Sequence, residues 1–318
     1  SLNLFFIFRS CLFFYSPFSF NMGWRILYIE NASAVRLYLD NIRIESTNGE
    51  LTVPLSDIHT LVIDNQMITI TIPLIVKCCE YNINFIICSL EHMPVSTISP
   101  FIGNYQSPLM LKKQIQWSDH TKMLLWQKII KNKISNQTDL LKYLDLNPIT
   151  NQILIDYEKN VLENDKSNRE GLAAKVYFHE LFGLDFRRFD DDIINAGLNY
   201  GYAILRSQIS KTVIAKGLNP CLGIFHKGYD NPFNLSDDII EVFRPLIDQY
   251  AYRNLRDAII FTKKNRIELI ELTGKDAIIN FQKQTIFNVI SMFIDKIIYI
   301  FETGDIESYI PVRLIYEL

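Results

Sequence analysis

Residues 24–45 read WRILYIENASAVRLYLDNIRIE, and this stretch decides the fold of the first part of the chain. Apolar and polar side chains alternate in three short runs, and Asn, Asp or Ser separates one run from the next. The runs are 24–29, 35–39 and 42–45. Alternation with a period of two is typical of half-buried antiparallel strands. The sequence therefore predicts a β-rich beginning to the fold.

The same pattern continues to about residue 102. Further strands are predicted at 51–55, 58–63, 68–72 and 85–88. The pairs Asp40-Asn41 and Asn48-Gly49 predict hairpin turns between strands. Pro73 suits the first position of a helix that runs to Asn82. Together these features predict a small, sandwich-like N-terminal β-rich domain over residues 22–105.

After residue 108 the pattern becomes helical. Long periodic segments of Leu, Ile, Phe, Lys and Gln predict helices at 108–133, 137–145, 150–163, 168–182, 191–216, 237–262 and 275–302. We expect a larger all-α catalytic domain over residues 106–303, followed by a tail at 304–318 that carries no recognised motif. The predicted fold class is therefore α+β, with the β-rich domain first.

Composition indicates a globular protein with a packed interior. The 318 residues are 48% hydrophobic and 21% charged, and the formal net charge is −3. That charge argues against a protein that coats nucleic acid without selectivity. The five cysteines include the adjacent pair Cys78 and Cys79, which suits neither a disulfide framework nor CxxC zinc ligation. We expect a reducing, cytoplasmic location.

Residues 1–21 differ in composition from the rest of the chain. They contain 13 apolar residues and one charge, Arg9, which interrupts the apolar stretch before Pro17 ends it. This pattern fits neither a secretory signal nor a spanning helix. We interpret the segment as an extraneous or mis-called leader and Met22 as the natural start. Since we find no other segment apolar and long enough to span a bilayer, we expect a soluble protein.

Basic residues are concentrated in three stretches of the helical part. Residues 112–133 carry six lysines and one aspartate, a local balance of +5, and residues 253–266 have a balance of +4. Arg206, Lys211 and Lys216 form a third, acid-free stretch. Each stretch alone is explained by a solvated helix face. Three in one domain favour a surface that binds phosphates, and both interpretations remain open here.

His226 is the histidine with the most informative surroundings. It lies in a polar loop rich in Gly and Pro, residues 223–235, and Asp238 and Glu241 follow with helical spacing that places them on one face. Imidazole nitrogen and carboxylate oxygens suit Mn²⁺ or Mg²⁺. Alternatively, Asp237 and Asp238 stabilise a helix N-terminus and His226 is an ordinary loop residue. The other histidines, at 59, 92, 120 and 179, have no metal-like partner at helical spacing.

Glu170 is a second candidate site residue, with a strong structural alternative. Ser167-Asn168-Arg169-Glu170 is a capping-box sequence, in which Ser167 caps the helix and Glu170 reaches back to the backbone. Spacing alone favours this capping role over a functional role.

Five motifs in order resemble those of the CRISPR-associated integrase family of the adaptation module, in its type II form. The matching stretches are 22–25 (MGWR), 167–171 (SNREG), 194–202 (INAGLNYGY), His226, and 236–245 with its D-x-x-E-x-F-R-P ending. The resemblance covers residue 22 to about 302. Residues 1–21 lie outside it.

The resemblance implies a metal-dependent DNA integrase or endonuclease that inserts spacer DNA into a CRISPR array by 3′-OH transesterification. Carried over residue by residue, it implies that Glu170, His226 and Glu241 are the catalytic residues and ligands of Mg²⁺ or Mn²⁺, with Asp238 as an accessory acid. It also implies a homodimer formed through the β-rich domain. Further implied partners are a small ferredoxin-like adaptation subunit, forming a heterohexamer, and double-stranded prespacer and repeat DNA. The competing functions are an inert DNA-binding scaffold of the same fold and a general metal-dependent nuclease.

Overall fold

The computed structural model describes residues 23, 25–47, 49–100 and 104–316. The chain forms two compact units that divide between residues 103 and 104. The expectations for residues 1–21 and for a start at Met22 lie outside the described residues. None of the described helices is both long and apolar enough to cross a membrane.

The N-terminal unit consists mainly of short strands. These are β1 (Arg25–Ile29), β2 (Ala34–Tyr38), β3 (Asn41–Ser46), β4 (Gly49–Pro54), β5 (Ile58–Ile63), β6 (Thr69–Ile70), β7 (Asn84–Cys88) and β8 (Pro94–Ile98). Helix α1 (Ile72–Glu80) lies between β6 and β7. The described strands form two four-stranded sheets, with orders β1-β5-β7-β8 and β4-β3-β2-β6. The predicted β-rich, sandwich-like character is confirmed.

The prediction of antiparallel pairing is wrong for much of this unit. β1 pairs parallel to β5, β5 pairs parallel to β7, and β2 pairs parallel to β6. Every residue of β5 is buried, as expected for a parallel strand covered on both faces. Parallel neighbours need a crossover connection, and α1 supplies it between β5 and β7. The largely apolar runs at 58–63 and 85–88 are typical of such strands, but the prediction rested on the alternation of the first runs.

The first hairpin turn lies one residue from its predicted place. Tyr38 pairs with Asn41 across β2 and β3, so the central turn residues are Leu39 and Asp40. Both have positive φ angles, +46° and +56°, which is the backbone geometry of a tight two-residue hairpin.

Both sheets and α1 contribute to one hydrophobic core. Buried members include Leu27, Val35, Ile42, Leu61 and Leu74. Because these side chains come from strands of both sheets and from the helix, their burial holds the layers of the unit together.

The C-terminal unit is mainly helical. Its helices are α2 (Ser107–Ile115), α3 (Asp119–Tyr143), α4 (Pro148–Lys159), α5 (Arg169–Phe182), α6 (Ile193–Ala215), α7 (Asn234–Ile240), α8 (Arg244–Asn254), α9 (Lys263–Glu271) and α10 (Ile286–Thr303). The strands are β9 (Asp276–Ile279), β10 (Gln282–Thr285) and β11 (Arg313–Leu314). The predicted α+β class is confirmed.

The C-terminal unit is not all-α as predicted, because its described part contains the three-stranded sheet β10-β9-β11. The predicted helix 275–302 begins with a hairpin, whose turn residues Asn280 and Phe281 have positive φ angles. The predicted helix 237–262 is two shorter helices, since Pro245 at the start of α8 cannot donate a backbone hydrogen bond. Residues of the predicted tail also belong to the unit, because β11 pairs with β9.

Helices α6 and α8 approach closely at Gly201. A Cβ atom at this position would lie 2.5 Å from Cγ2 of Ile247, so glycine permits the contact. This packing brings the helix that follows Glu241 against the long buried helix α6.

Candidate active site

Glu170 lies in the first turn of α5, and its carboxylate does not cap that helix. The Asp165 carboxylate accepts hydrogen bonds from the backbone N–H groups of Arg169 and Glu170, at 2.8 and 2.9 Å. Ser167 Oγ instead donates weakly to the Asn160 carbonyl, at 3.4 Å. Among the described residues the predicted capping box therefore does not form. Asp165 takes its place, which leaves the Glu170 carboxylate to other partners.

That carboxylate pairs with Lys133, a lysine in the middle of α3. Lys133 Nζ lies 2.7 Å from Glu170 Oε1 and 2.5 Å from Glu241 Oε2. The lysine side chain is 7% exposed and that of Glu241 is 4% exposed. Two predicted site residues, 71 positions apart in sequence, thus meet at one ammonium group. Sequence analysis did not identify this lysine as part of the site.

Glu241 follows directly after α7 and is surrounded by positive charge. Its Oε1 atom lies 2.9 Å from Arg244 Nε, three residues further along the chain. Burial alone would raise the pKa of Glu241, but Arg244 and Lys133 together lower that pKa to about 2. The carboxylate is therefore ionised at neutral pH despite its burial, and it is a strong ligand for a cation.

His226 is positioned by Asp238, which lies on α7. The fully buried Asp238 carboxylate accepts backbone hydrogen bonds from Ile224, Phe225 and His226. Its Oδ1 atom also lies 2.7 Å from Nδ1 of the His226 ring. A proton on Nδ1, shared with Asp238, leaves the lone pair of a neutral imidazole on Nε2. Such a carboxylate–histidine pair fixes the ring orientation and directs Nε2 chemistry in metal sites.

The backbone of this loop folds tightly around the Asp238 carboxylate. A Cβ atom at Gly223 would lie 2.3 Å from the His226 carbonyl oxygen and 2.8 Å from Asp238 Oδ2, so a side chain has no room. The buried Trp126 ring of α3 stacks on Phe225, with ring centroids 4.4 Å apart, and meets His226 edge-on. His226 is therefore a loop residue, as the structural alternative has it, and its loop is held in one conformation by Asp238 and Trp126.

The charge of Glu241 also acts on His226. The hydrogen bond to Asp238 is the main cause that raises the pKa of His226, and Glu241 adds a smaller electrostatic effect in the same direction. The structure therefore joins Glu170 and Glu241 through Lys133. Asp238 holds the histidine.

A different set of residues has donor atoms that lie within 4.8 Å of one another. Among the described residues this set is Glu30, Asp64 and His92, in the N-terminal unit. His92 Nδ1 lies 2.8 Å from Asp64 Oδ1, and the Tyr28 hydroxyl donates to Asp64 Oδ2. These interactions account for the arrangement. Glu170, His226 and Glu241 are not a set of this kind among the described residues.

The residues around Lys133 nevertheless fit a divalent cation. Glu241 Oε2 is buried without an aligned hydrogen-bond donor, although the Lys133 ammonium lies beside it. Two carboxylates and an imidazole are the hard-oxygen and nitrogen donors that Mn²⁺ and Mg²⁺ accept. The donor chemistry is therefore appropriate for either ion.

A buried polar network around Asp248 of α8 adjoins Arg244 of the site. Asp248 accepts hydrogen bonds from the Tyr177 hydroxyl, at 2.9 Å, and from the Tyr202 hydroxyl. Burial raises the pKa of Asp248 to about 6. The Arg244 guanidinium lies over the Tyr202 ring, 4.5 Å from its centroid. Sequence reasoning missed Asp248, although its spacing from Glu241 and Arg244 follows one face of a helix.

Several residues of the predicted basic stretches pair with acids elsewhere. Lys113 pairs with Glu302, Lys128 with Glu307 and Lys216 with Asp295. These acids lie outside the stretches, so a count along the sequence overstates the local positive charge. Solvated, paired helix faces thus explain part of the pattern.

The chain matches the family model described as CRISPR associated protein Cas1 over residues 27–282. A CRISPR-associated endonuclease Cas1 of Neisseria meningitidis serogroup C is 37% identical over 227 residues, which is 71% of this chain and 74% of that protein. A Cas1 endonuclease of Saccharolobus solfataricus is also 37% identical, over 153 residues, covering 46% of this chain and 47% of that protein.

Solved structures show the same fold at lower identity. A Cas1 protein from Thermotoga maritima matches with a TM-score of 0.69 and 15% identity, over 87% of this chain and 96% of its own. A casposase bound to an integration product matches with a TM-score of 0.71 and 16% identity, over 88% and 91% of the two chains.

Proposed function

Because the chain belongs to the family of CRISPR-associated Cas1 proteins, we propose that it is a divalent-metal-dependent DNA integrase and endonuclease of the spacer-acquisition stage. In the proposed reaction, the 3′-OH of a spacer end attacks a backbone phosphate at the CRISPR repeat. A new phosphodiester bond forms, and the 3′-oxygen of the repeat strand leaves.

The observation that carries the proposal is the meeting of Glu170 and Glu241 at one buried cation. Each carboxylate lies within 2.7 Å of Lys133 Nζ, and Asp238 holds His226 in a fixed orientation. Glu170, His226 and Glu241 would hold Mn²⁺ or Mg²⁺. The bound ion would supply Lewis-acid polarisation of the scissile phosphate.

The protein groups themselves have positioning and charge-balancing roles in this proposal. Arg244 keeps Glu241 ionised and oriented, and Asp238 keeps the His226 ring in one orientation. Phosphoryl transfer needs little covalent chemistry from a protein, so rigid placement of charged groups is the main requirement. The burial of Glu241 and Asp238 meets that requirement.

The partners are proposed on family grounds. We propose a homodimer formed through the N-terminal unit, which joins a small ferredoxin-like adaptation subunit in a heterohexamer. Structural neighbours include a Cas6-RT-Cas1–Cas2 complex and a Cas1–DNA complex, which supports partners of this kind. Duplex prespacer and repeat DNA are the proposed substrates, bound in part through the basic helical stretches.

A strand-joining assay tests the proposal. A labelled duplex with free 3′-OH ends is incubated with supercoiled plasmid carrying a leader and repeat, with the partner subunit and Mn²⁺. The wild-type protein is expected to yield joined product. Glu170→Gln, His226→Ala and Glu241→Gln are each expected to abolish joining, because each removes a proposed ligand. Lys142→Met, at an exposed position of α3 beside Asp139, is the matched control.

The reaction products distinguish the competing functions, and duplex binding measured in EDTA checks that each variant still binds DNA. An inert scaffold binds DNA and yields no product with any variant, whereas a general nuclease cuts plasmids irrespective of leader and repeat. Joining that survives all three substitutions would show that the assigned residues are not catalytic.

A further inference from the structure

Lys133 occupies an unusual position for a lysine. It lies on the buried face of α3, in line with Trp126, Ile130 and Gln137, which are themselves buried. Buried lysines are rare unless they are paired. Here both partners are acids, Glu170 and Glu241, and each contributes one oxygen atom to the ammonium.

The charges around Lys133 balance without any added ion. Glu170 and Glu241 contribute two negative charges, and Lys133 and Arg244 contribute two positive charges. The two carboxylates are held near each other in a poorly solvated place, where like charges repel strongly unless a cation lies between them. In the metal-free protein, the Lys133 ammonium is that cation.

The same place is where a divalent ion shared by the two carboxylates would lie. Mn²⁺ or Mg²⁺ binds oxygen at about 2.1 Å, so two coordinating oxygens lie no more than about 4.2 Å apart. An ammonium within 2.7 Å of both oxygens fills the space between them. A metal ion and the ammonium therefore cannot both occupy that space, since each is positive and each needs the same two oxygen atoms.

We propose that Lys133 is a displaceable internal counter-ion, which holds Glu170 and Glu241 together in the metal-free protein and competes with the divalent ion for their oxygens. This inference rests on the proposed function, because it takes these glutamates as ligands. Lys133 is then a positioning residue, and its charge lowers the affinity of the site for the divalent ion. The length and flexibility of a lysine side chain allow its ammonium to leave without backbone movement.

Direct measurement of Mn²⁺ binding to the full-length protein tests this competition. Lys133→Met removes the charge and keeps a similar unbranched apolar stem, so Mn²⁺ is expected to bind at least about tenfold more tightly by titration calorimetry. The metal-free variant is expected to unfold at a lower temperature, because two carboxylates lose their counter-ion. Mn²⁺ is expected to raise its unfolding temperature by more than it raises that of the wild type.

Lys142→Met is the matched control on the same helix. Lys142 is 54% exposed and pairs with Asp139 three residues earlier, so its removal is expected to leave Mn²⁺ affinity within twofold of wild type. Lys133→Gln serves as a second variant, since it is polar, uncharged and close in length. Folding of a Lys133 variant in Mn²⁺ but not in EDTA would support the competition, and failure to fold under both conditions would contradict it.

Glu170→Gln separates this inference from the proposed function. If wild-type Mn²⁺ binding is insensitive to Glu170→Gln and Glu241→Gln, the metal site itself is wrongly assigned. If both substitutions weaken binding but Lys133→Met leaves affinity unchanged or lowers it, the site stands and the competition is refuted. A lowered affinity would mean that the lysine helps to assemble the ligands.

Discussion

Glu241 forms ion pairs with both Lys133 and Arg244 in the candidate site. Its two oxygens face Lys133 and Arg244, and these cations outweigh the effect of burial and lower the pKa to about 2. The unfolded chain takes up a proton at this residue as the pH falls below about 4.5, whereas the folded protein does not. Ionised Glu241 therefore stabilises the fold above that pH, and this stabilisation is lost as the pH falls towards 2.

The first prediction concerns the pH dependence of stability. At neutral pH, Glu241→Gln is expected to lower the free energy of unfolding by up to about 3 kcal/mol, because Arg244 loses this carboxylate and Lys133 keeps only that of Glu170. The difference from wild type is expected to shrink as the pH falls from 5 to 3. Urea unfolding at several pH values measures it. A difference that stays constant over this range would mean that Glu241 does not carry the shifted pKa.

Asp238 shows at the same scale why residue type alone does not define a role. It is an acid three residues before Glu241, yet its carboxylate is fully used by three backbone N–H groups and the His226 ring. A carboxylate with these partners organises a loop. Glu241, whose partners are side-chain cations, is available to a competing cation.

At the scale of elements, the N-terminus of α5 decides what Glu170 can do. Asp165 accepts from the first backbone N–H groups of the helix, which the predicted capping box assigned to Ser167 and Glu170. Asp165 has a positive φ angle of +46°, a conformation that Asp tolerates better than most residues. The capping residue is thus Asp165, which precedes the predicted capping box. The Glu170 carboxylate is then able to pair with Lys133.

The second prediction compares the two possible caps of α5. Asp165→Ala is expected to lower the free energy of unfolding by at least about 1 kcal/mol, because helix N–H groups lose their acceptor and alanine is strained at positive φ. Ser167→Ala is expected to cost less than about 0.5 kcal/mol, since its hydroxyl makes one long hydrogen bond. Chemical denaturation of both variants makes the comparison. If Ser167→Ala lowered the free energy of unfolding by more than Asp165→Ala does, the capping box would be supported instead.

At the scale of the whole molecule, residues near the end of the chain complete the helical unit. Asn132 of α3 donates to the Val312 carbonyl at 2.8 Å and accepts from the Val312 backbone N–H at 2.8 Å. The Tyr316 hydroxyl donates to the Asn136 carbonyl, and β11 pairs with β9. These contacts span about 180 residues of sequence. They fix the helix that carries Lys133.

The third prediction tests this long-range connection. Asn132→Ala is expected to lower the free energy of unfolding by about 2–4 kcal/mol, because the buried N–H and C=O groups of Val312 both lose their partner. It is also expected to speed amide hydrogen exchange at Val312 and Leu314. Asn254→Ala is the control, since that side chain donates to the Tyr250 carbonyl within its own helix. Equal effects of the two substitutions would show that the connection contributes little.

The apolar periodicity of the sequence predicted an element correctly where one face of that element is buried. Helices α5 and α6 and the strands of the N-terminal unit lie close to their predicted places, except β8, which was not predicted. Alternation and helical period report which side chains are buried. Prediction failed at 275–285, where an apolar run is shared by a hairpin and a helix. It also failed for strand direction, since the alternation of the first runs indicated antiparallel pairing although β1, β5 and β7 are largely buried on both faces.

The sequence by itself determined the α+β class, the order of the two parts and the residue types available for a cation site, because these depend on local period and composition. Only the tertiary structure decided that Lys133 lies between Glu170 and Glu241 and that Asp238 holds His226. Interactions between residues 12 to 108 positions apart leave no local pattern in the sequence; they follow from packing, which brings charges together where water cannot screen them.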